Sequence, residues 1–531
     1  MKVALIKCPW WVRYCPPYIL AYFAAWLRAH RHSVACFDLN NTLYHDATVQ
    51  YKVYWDNRDF YSAWENEGFV ASLIDSLPVS RAVDAIISSN ARVFIFDTHT
   101  PSVLISYHVA ALIKERKKDS VIVFIGHKAS RAQMAFDFIR QPFVDYVCPG
   151  EADLALLDLL TALEKKETSG EKDLPACPGF LYKRNGEVVD GGTPRVVDDI
   201  NQLPFPDYTD FAQDIADRRY AQPNRLDILD SRGCINACHF CYERLFWPNF
   251  RFLSAEKMFE QISDHRSRFP QIDYYYFNGL LINGNLKNLE SFCDLVIAGN
   301  LRISWAGQAV VRADMTKDLL VKMKKAGCQW LGYGLESGSQ IVLDGMNKRV
   351  SVEAVPRVLR DTKEAGIVFQ INLMFGFPNE TEADFQQTLK LFAHIRPWVD
   401  SILASQSFFT LEKETFVRTH PEQFGIVNAA HHLYWKSDNG LNTYAERFRR
   451  YEEFCQFAVS LGIPETSGVL RVKPDKWFLL GNYYLYEHDF MRAAECFERS
   501  IADESDTATV RDLLARCRKE QASHEQAPTI S

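Results

Sequence analysis

Short, continuous apolar runs, each followed by a stretch of helical periodicity, recur along this chain in two series. That alternation restricts the fold more than any other feature. In the first series VALIKCP (3–9) precedes a helix over 17–30, and SVACFDLN (33–40) reads as a second strand. VFIFDTHT (93–100) precedes a helix over 102–117, VIVFIG (121–126) one over 130–140, and VDYVCPGE (144–151) one over 152–165. Strands that are apolar on both faces and separated by helices belong to a parallel sheet covered on both sides. The pattern predicts a doubly wound, Rossmann-like α/β domain over residues 1–165. Ligands of such sheets sit beyond the carboxyl ends of the strands. The loops starting at Pro9, Thr98, Gly126 and Gly150 are therefore expected to line one crevice.

A polar stretch, EKKETSGEKD (164–173), and a proline-rich one, LPFPDYTDF (203–211), mark a linker over 166–215. A second series follows over 216–440. Its strands are RLDILDS (225–231), DYYYFNG (273–279), RISWAGQA (302–309), WLGYGLES (330–337), VFQINLMFG (368–376) and SILASQSFF (401–409). Helical segments such as MTKDLLVKMKKAG and EADFQQTLKLFAHI fill the intervals. Six β/α units make a partial (β/α)6 barrel with its active groups at the carboxyl ends of the strands. Residues 441–531 read as a helical C-terminal region. There Trp477, Leu480, Gly481, Tyr484, Ala493 and Phe497 have the spacing of one tetratricopeptide-like (TPR-like) repeat. A single repeat cannot bury its own face, so a helical cap on the barrel is expected rather than a peptide-docking array.

At 531 residues, 47% hydrophobic and 24% charged, the chain can bury several cores. Its net charge of −7 argues against a phosphate-backbone partner, so no nucleic acid is expected. The apolar run YILAYFAAWL is interrupted by Arg13, Pro16 and Pro17 on one side and Arg28 on the other. It is too short to span a bilayer and lacks a cleavage pattern, so no membrane span or signal peptide is expected. Thirteen cysteines, odd in number and mostly scattered, suit a reducing cytoplasm better than a disulfide framework.

The exception to that scatter is GCINACHFCYE (233–243), directly after the first strand of the second series. Cys234, Cys238 and Cys241 make three thiolates on one tight loop, a soft metal centre. Closed zinc sites and [4Fe-4S] clusters both usually take four protein ligands. Three imply either a remote fourth ligand or an iron left open for something else.

With the cysteine loop at a strand's carboxyl end, the chain resembles the radical S-adenosylmethionine (SAM) superfamily, in the branch with an N-terminal cobalamin-binding domain. GYGLESGSQ (332–340) resembles the family's fourth-strand motif, FGFPNETEADFQQTL (375–389) its fifth-strand segment, and LPFPDYTDF its interdomain connector. The resemblance covers residues 1 to about 465. It implies that Cys234, Cys238 and Cys241 hold a [4Fe-4S] cluster whose fourth iron binds the amino and carboxylate groups of SAM. It also implies an external electron donor such as flavodoxin or ferredoxin.

The resemblance assigns SAM contacts to Tyr242, Asn278, Gly279, Gln308 and Glu336, with Glu336 on the ribose. FNGLLING (277–284) matches only part of the family's Gly-Gly-Glu-like stretch, and Gln308 could face cofactor or substrate. Cobalamin contacts fall to Thr98, Thr100, Gly126, Ser130, Gly150 and Glu151. DTHTPS (97–102) nearly matches a cobalt-ligating D-x-H-x-x-G motif, but Ser102 replaces the glycine and the motif follows the third strand. His99 is therefore not expected on cobalt. Ile125 also stands where related domains have the first of two glycines, leaving Gly126 alone to admit the cofactor tail.

The implied activity is cobalamin-dependent methyl transfer to an unactivated carbon or to phosphorus, on a small-molecule or peptide substrate. A radical SAM cyclase, rearrangement enzyme or oxidase would share every motif. A non-catalytic iron–sulfur docking protein is the reading from another class, and cleavage of SAM by the reduced protein excludes it.

Overall fold

The computed structural model describes residues 1–56, 63–127, 129, 132–169, 175–184, 186–404, 408–463, 475–503 and 507–525. Contacts divide the chain into two compact units. One comprises Met1–Cys234, Glu243–Ile282 and Lys287–Ala306, the other Ile235–Tyr242, Asn283–Leu286 and Gly307–Ser531.

The first unit is built on a seven-stranded sheet. Its strands are β1 (Lys2–Lys7), β2 (Ser33–Asp38), β3 (Val93–Asp97), β4 (Val121–Ile125), β5 (Tyr146–Val147), β6 (Leu181–Arg184) and β7 (Glu187–Asp190). Their order is β2-β1-β3-β4-β5-β6-β7. The first five strands are parallel, as expected. Both faces are buried: Leu5, Ile95 and Val123 on one and Ile6, Phe96 and Phe124 on the other are at most 2% exposed. The reversal of winding between β1 and β3 is the switch point where such sheets open a crevice.

Two features depart from the sequence reading. Residues 181–190 lie in the stretch read as linker, yet β6 and β7 form an antiparallel hairpin that extends the sheet from β5. Between β2 and β3, where no element was expected, lie helices Leu39–Asp46, Val49–Asp56, Glu67–Ser76 and Val79–Ser88. Buried Trp55, on the second of these helices, and buried Trp64, just before the third, stack edge to face at 4.6 Å.

A two-stranded ribbon pairs β9 (Ser231–Arg232) with β10 (Arg251–Phe252). The second sheet contains β8 (Arg225–Ile228), β11 (Tyr274–Phe277), β12 (Ser304–Val310), β13 (Cys328–Glu336), β14 (Val368–Leu373) and β15 (Ser401–Ala404). Its order is β15-β14-β13-β12-β11-β8. The pairs β8/β11, β13/β14 and β14/β15 are parallel. The helix Glu382–Ile395 has the residues the sequence pattern assigned to it, and Thr381 and Asp384 cap it reciprocally. The tail folds as helices Tyr444–Ser460, Lys476–Tyr486, Phe490–Ala502 and Ala508–Glu525. Gly481 passes so close to Phe497 that a Cβ would stand 2.6 Å from its ring. Among the described residues no helix is long and apolar enough to cross a membrane.

Candidate active site and crevice

Within the second unit, residues Ile235–Tyr242 of the cysteine loop are docked mainly through backbone groups. The His239 amide donates to the Met346 carbonyl at 2.9 Å, and its ring Nδ1 lies 3.0 Å from the Gly345 carbonyl. Asn347, at φ +54°, donates its side-chain amide to the Ala237 carbonyl at 2.9 Å. The Cys241 amide closes a turn onto the Cys238 carbonyl at 3.2 Å. Before the loop, Gly233 has φ +79°, and a Cβ there would stand 2.4 Å from the Asn249 carbonyl oxygen. The three thiols are half-buried, and Tyr242, next in sequence to Cys241, is buried. Among the described residues no group of His, Cys, Asp and Glu converges on a single-ion position. A fixed, half-shielded loop of three thiols suits a multi-iron cluster, whose cysteines bind separate irons.

The same segment connects this loop to Glu336. The Lys348 ammonium lies 2.8 Å from the Glu336 carboxylate and 5.9 Å from the centre of the Phe240 ring. Glu336 ends β13 with φ +71°, next to a register shift against β14. A left-handed, non-glycine residue at a strand end stores backbone strain, which persists where the surroundings over-determine it. Tyr333 and Leu335 point into the core. A Cβ on Gly332 would stand 2.4 Å from Gln308 Oε1, and one on Gly334 would stand 3.0 Å from both Glu336 Oε1 and Lys348 Nζ. The two glycines thus clear room for Gln308 and Glu336, a cradle in which a polar ligand can meet an amide and a carboxylate. Lys348 and Asn347 escaped the sequence reading, since neither stands at a strand end.

The rest of both motifs serves the fold. The Gly338 amide donates to Thr388 Oγ1 at 3.0 Å, and Ser339 Oγ donates to Asp384 at 2.6 Å. Buried Glu380 accepts from the Gly376 amide at 2.7 Å and from Arg450 at 2.9 Å.

Asn278 and Gly279, expected at SAM, are committed elsewhere within the first unit. The Gly279 amide donates to Asp230 at 2.9 Å, and a Cβ there would strike Ser231 Oγ at 2.3 Å. Burial pushes the Asp230 carboxyl up to about 6. Asn278 donates its side-chain amide to Asp227 at 2.7 Å and lines the crevice of the first sheet.

That crevice opens at the carboxyl ends of β1, β3 and β4. Lys7, Asp97, His99, Gly126, Gly150 and Glu151 line it, together with an aromatic wall that includes Trp11, Tyr14, Tyr18, Tyr22, Phe246 and Trp247. The loops after Pro9, Thr98, Gly126 and Gly150 do converge. His99 Nε2 lies 3.2 Å from Asp97 Oδ2, and Trp11 covers the imidazole at 4.0 Å between ring centres. Burial would raise the Asp97 carboxyl, but Lys7 and His99 outweigh it and hold it below the usual carboxylate range. Burial, and then the Lys7 charge, lower the His99 imidazole from its usual range.

The residue-level expectations for this crevice need correction. Thr98 is fully buried and donates its hydroxyl to the Ile125 carbonyl at 2.8 Å, so it offers nothing to a ligand. Thr100 opens a short 3-10 turn and is not among the lining residues. Ser130 lies outside the described residues. Gly126, at φ +101°, is required by the protein itself, because a Cβ would stand 2.4 Å from Asp97 Oδ1 and 2.9 Å from the Thr98 amide nitrogen. Glu151 lines the crevice, but Arg232 and Arg251 hold its carboxylate. The signal that was missed is the density of aromatic residues in PWWVRYCPPYILAYF (9–23).

The radical SAM superfamily model matches residues 228–392. An anaerobic magnesium-protoporphyrin IX monomethyl ester cyclase of Rubrivivax gelatinosus is 24% identical over 342 residues, 60% of this chain and 60% of the relative. The match thus spans about three fifths of that relative's own length. Among solved structures, the cobalamin-dependent S-adenosylmethionine radical enzyme OxsB superposes with a TM-score of 0.62 at 15% identity, covering 93% of this chain and 72% of that one. The radical S-adenosylmethionine methyltransferase TsrM of Kitasatospora setae, with cobalamin and a [4Fe-4S] cluster bound, superposes with a TM-score of 0.60 at 13% identity, covering 98% and 99%. Residues 228–392 thus match the radical SAM superfamily, and the chain shares its fold with these two solved structures.

Proposed function

We propose that this chain is a cobalamin-dependent radical SAM methyltransferase acting on an unactivated carbon or phosphorus centre of a small molecule or peptide. The observation that carries the reading is the pairing of two features: a docked three-cysteine loop beside a glycine-cleared Glu336, and an aromatic crevice at a sheet switch point. When bound, the cluster and SAM supply a substrate radical and the corrinoid supplies a methyl carrier.

The chain's own residues do the rest. Cys234, Cys238 and Cys241 hold the cluster, while Glu336 and Gln308 accept and orient the polar edge of SAM. Lys348 neutralises Glu336, whose carboxylate would accept the ribose hydroxyls of SAM. Tyr242 shields the cysteine loop from water. In the crevice the aromatic wall offers flat apolar surface to a corrin ring. The Lys7–Asp97–His99 group forms a polar patch at the strand ends, with Trp11 over the imidazole, so no histidine needs to reach the metal. We take the second sheet as an open (β/α)6 barrel and the tail as a helical cap with one TPR-like repeat. The domains follow at 1–165, 166–215, 216–440 and 441–531, with β6 and β7 of the second stretch completing the first sheet. An external flavodoxin or ferredoxin supplies electrons, and no nucleic-acid partner is proposed.

A radical cyclase is the second reading, favoured by the match to the Rubrivivax cyclase. Mass analysis of product from the anaerobic enzyme with isotopically labelled SAM separates them. A gain of one methyl group supports transfer, and a product without one supports cyclisation.

A further inference from the structure

Two ion pairs of the first unit flank the cysteine loop. Arg232, two residues before Cys234, is 3% exposed in its side chain and is held by Asp153 at 2.9 and 3.0 Å and by Glu151 at 2.8 Å. Arg251, its partner across the β9/β10 ribbon, holds the other edge of Glu151, so two guanidinium groups balance two carboxylates in a buried cluster. Tyr22 adds its hydroxyl to Asp153. Glu243, two residues after Cys241, lies 3.0 Å from His127, two residues past the end of β4.

Burial on this scale is costly for charges unless their geometry is fixed. The bidentate Arg232–Asp153 pair gives that fixity, since a planar guanidinium meets a carboxylate in one orientation. Burial would raise the Asp153 carboxyl, but Arg232 outweighs it, so the pair stays ionised. Both anchors come from the crevice: Glu151, Asp153, Arg232 and His127 all line it, as do Phe246 and Trp247, on and just after the short helix that Glu243 starts.

We infer that Arg232 and Glu243 are positioning residues for the cysteine loop, held from the crevice wall by Asp153 and Glu151 at one end and His127 at the other. The inference rests on the reading that Cys234, Cys238 and Cys241 hold the cluster. Residues 232 and 243, where the chain enters and leaves the loop, are thereby fixed to the strand ends of the first sheet.

The test uses the full chain, reconstituted anaerobically with iron and sulfide. Wild type is compared with Arg232→Met, Arg232→Lys, Glu243→Gln and, as a control, Cys238→Ala. The readout is the electron paramagnetic resonance spectrum of the reduced cluster, with and without SAM, beside iron content and circular dichroism. Arg232→Met is expected to lose the SAM-induced spectral change several-fold, and Arg232→Lys to restore part of it. Glu243→Gln, at a side chain only 70% buried, is expected to fold and to alter the spectrum in the same direction. Loss of iron from a folded Arg232→Met protein also supports the clamp. Wild-type iron and wild-type spectra in folded Arg232→Met and Glu243→Gln overturn it. If Arg232→Met does not fold, Glu243→Gln alone decides. If Cys238→Ala keeps the wild-type spectrum, the cluster assignment itself fails, which none of the other variants can produce.

Discussion

The Lys7 ammonium lies 2.5 Å from the Asp97 carboxylate, in register at the carboxyl ends of neighbouring parallel strands, with side chains only 1% and 4% exposed. Burial lowers the Lys7 ammonium, and Asp97 offsets part of that. Each charge is tolerable in the crevice wall only because the other is there.

The first prediction follows directly. Asp97→Asn strands the Lys7 charge and should destabilise the first unit by about 3–5 kcal/mol. The double variant Lys7→Met, Asp97→Leu should cost clearly less, because both desolvated charges are gone. Denaturant midpoints of the three proteins check this. Equal losses in the single and double variants would contradict it.

Glu336 carries the second prediction. Glu336→Gln keeps the shape of the side chain but replaces a charged acceptor with a neutral one, at a cost of about 1–3 kcal/mol in cofactor affinity. SAM should bind roughly 5- to 150-fold more weakly, measured by equilibrium binding to reconstituted protein. Gly332→Ala should act in the same direction, since its Cβ would take space that Gln308 Oε1 occupies. Unchanged affinity in both variants would separate Glu336 from the cofactor.

The parallel strands, the cysteine loop and the position of Glu336 were legible because each follows from local pattern: apolar runs, thiol spacing, a carboxylate closing a glycine-rich strand. What was not legible depends on long-range partners. Nothing near Glu151 in sequence announces that Arg232 and Arg251 occupy it. The hairpin 181–190 looks like linker because its strands are short and polar at one edge, and only pairing with β5 defines them. Gly126 read as a cofactor contact because a glycine's reason lies in what a Cβ would strike, here Asp97 and Thr98.

His265 gives a pH prediction. It sits on the helix Ala255–Arg268, packed between Tyr208 and Tyr275 at 5.4 and 6.5 Å between ring centres. Burial, and then Arg268, push it from 6.5 down to about 3, so the folded protein keeps it neutral. Its share of stability is intact above pH 6.5 and is lost as pH falls from 6.5 toward 3, because only the unfolded chain gains the proton. The slope is about 1.4 kcal/mol per pH unit. His265→Phe should flatten that part of the curve, as read from unfolding midpoints at pH 5 and pH 8. An unchanged acid limb would remove His265 as its source.

For the crevice, hydroxocobalamin is expected to bind the full chain, and His99→Ala to leave its bound visible spectrum unchanged. Asp97 takes His99 Nε2 and Trp11 covers the ring. A spectral shift in His99→Ala would put that imidazole on cobalt.

Iron analysis combined with cofactor cleavage tests whether Cys234, Cys238 and Cys241 hold a cluster that cleaves SAM. Anaerobically reconstituted wild type should carry about four irons and four sulfides at this site. After reduction it should release 5′-deoxyadenosine, or transfer the methyl group, from SAM. The triple variant Cys234→Ala, Cys238→Ala, Cys241→Ala should lose both the iron and the cleavage while remaining folded. Full iron content in that variant would show that these three cysteines do not hold the cluster.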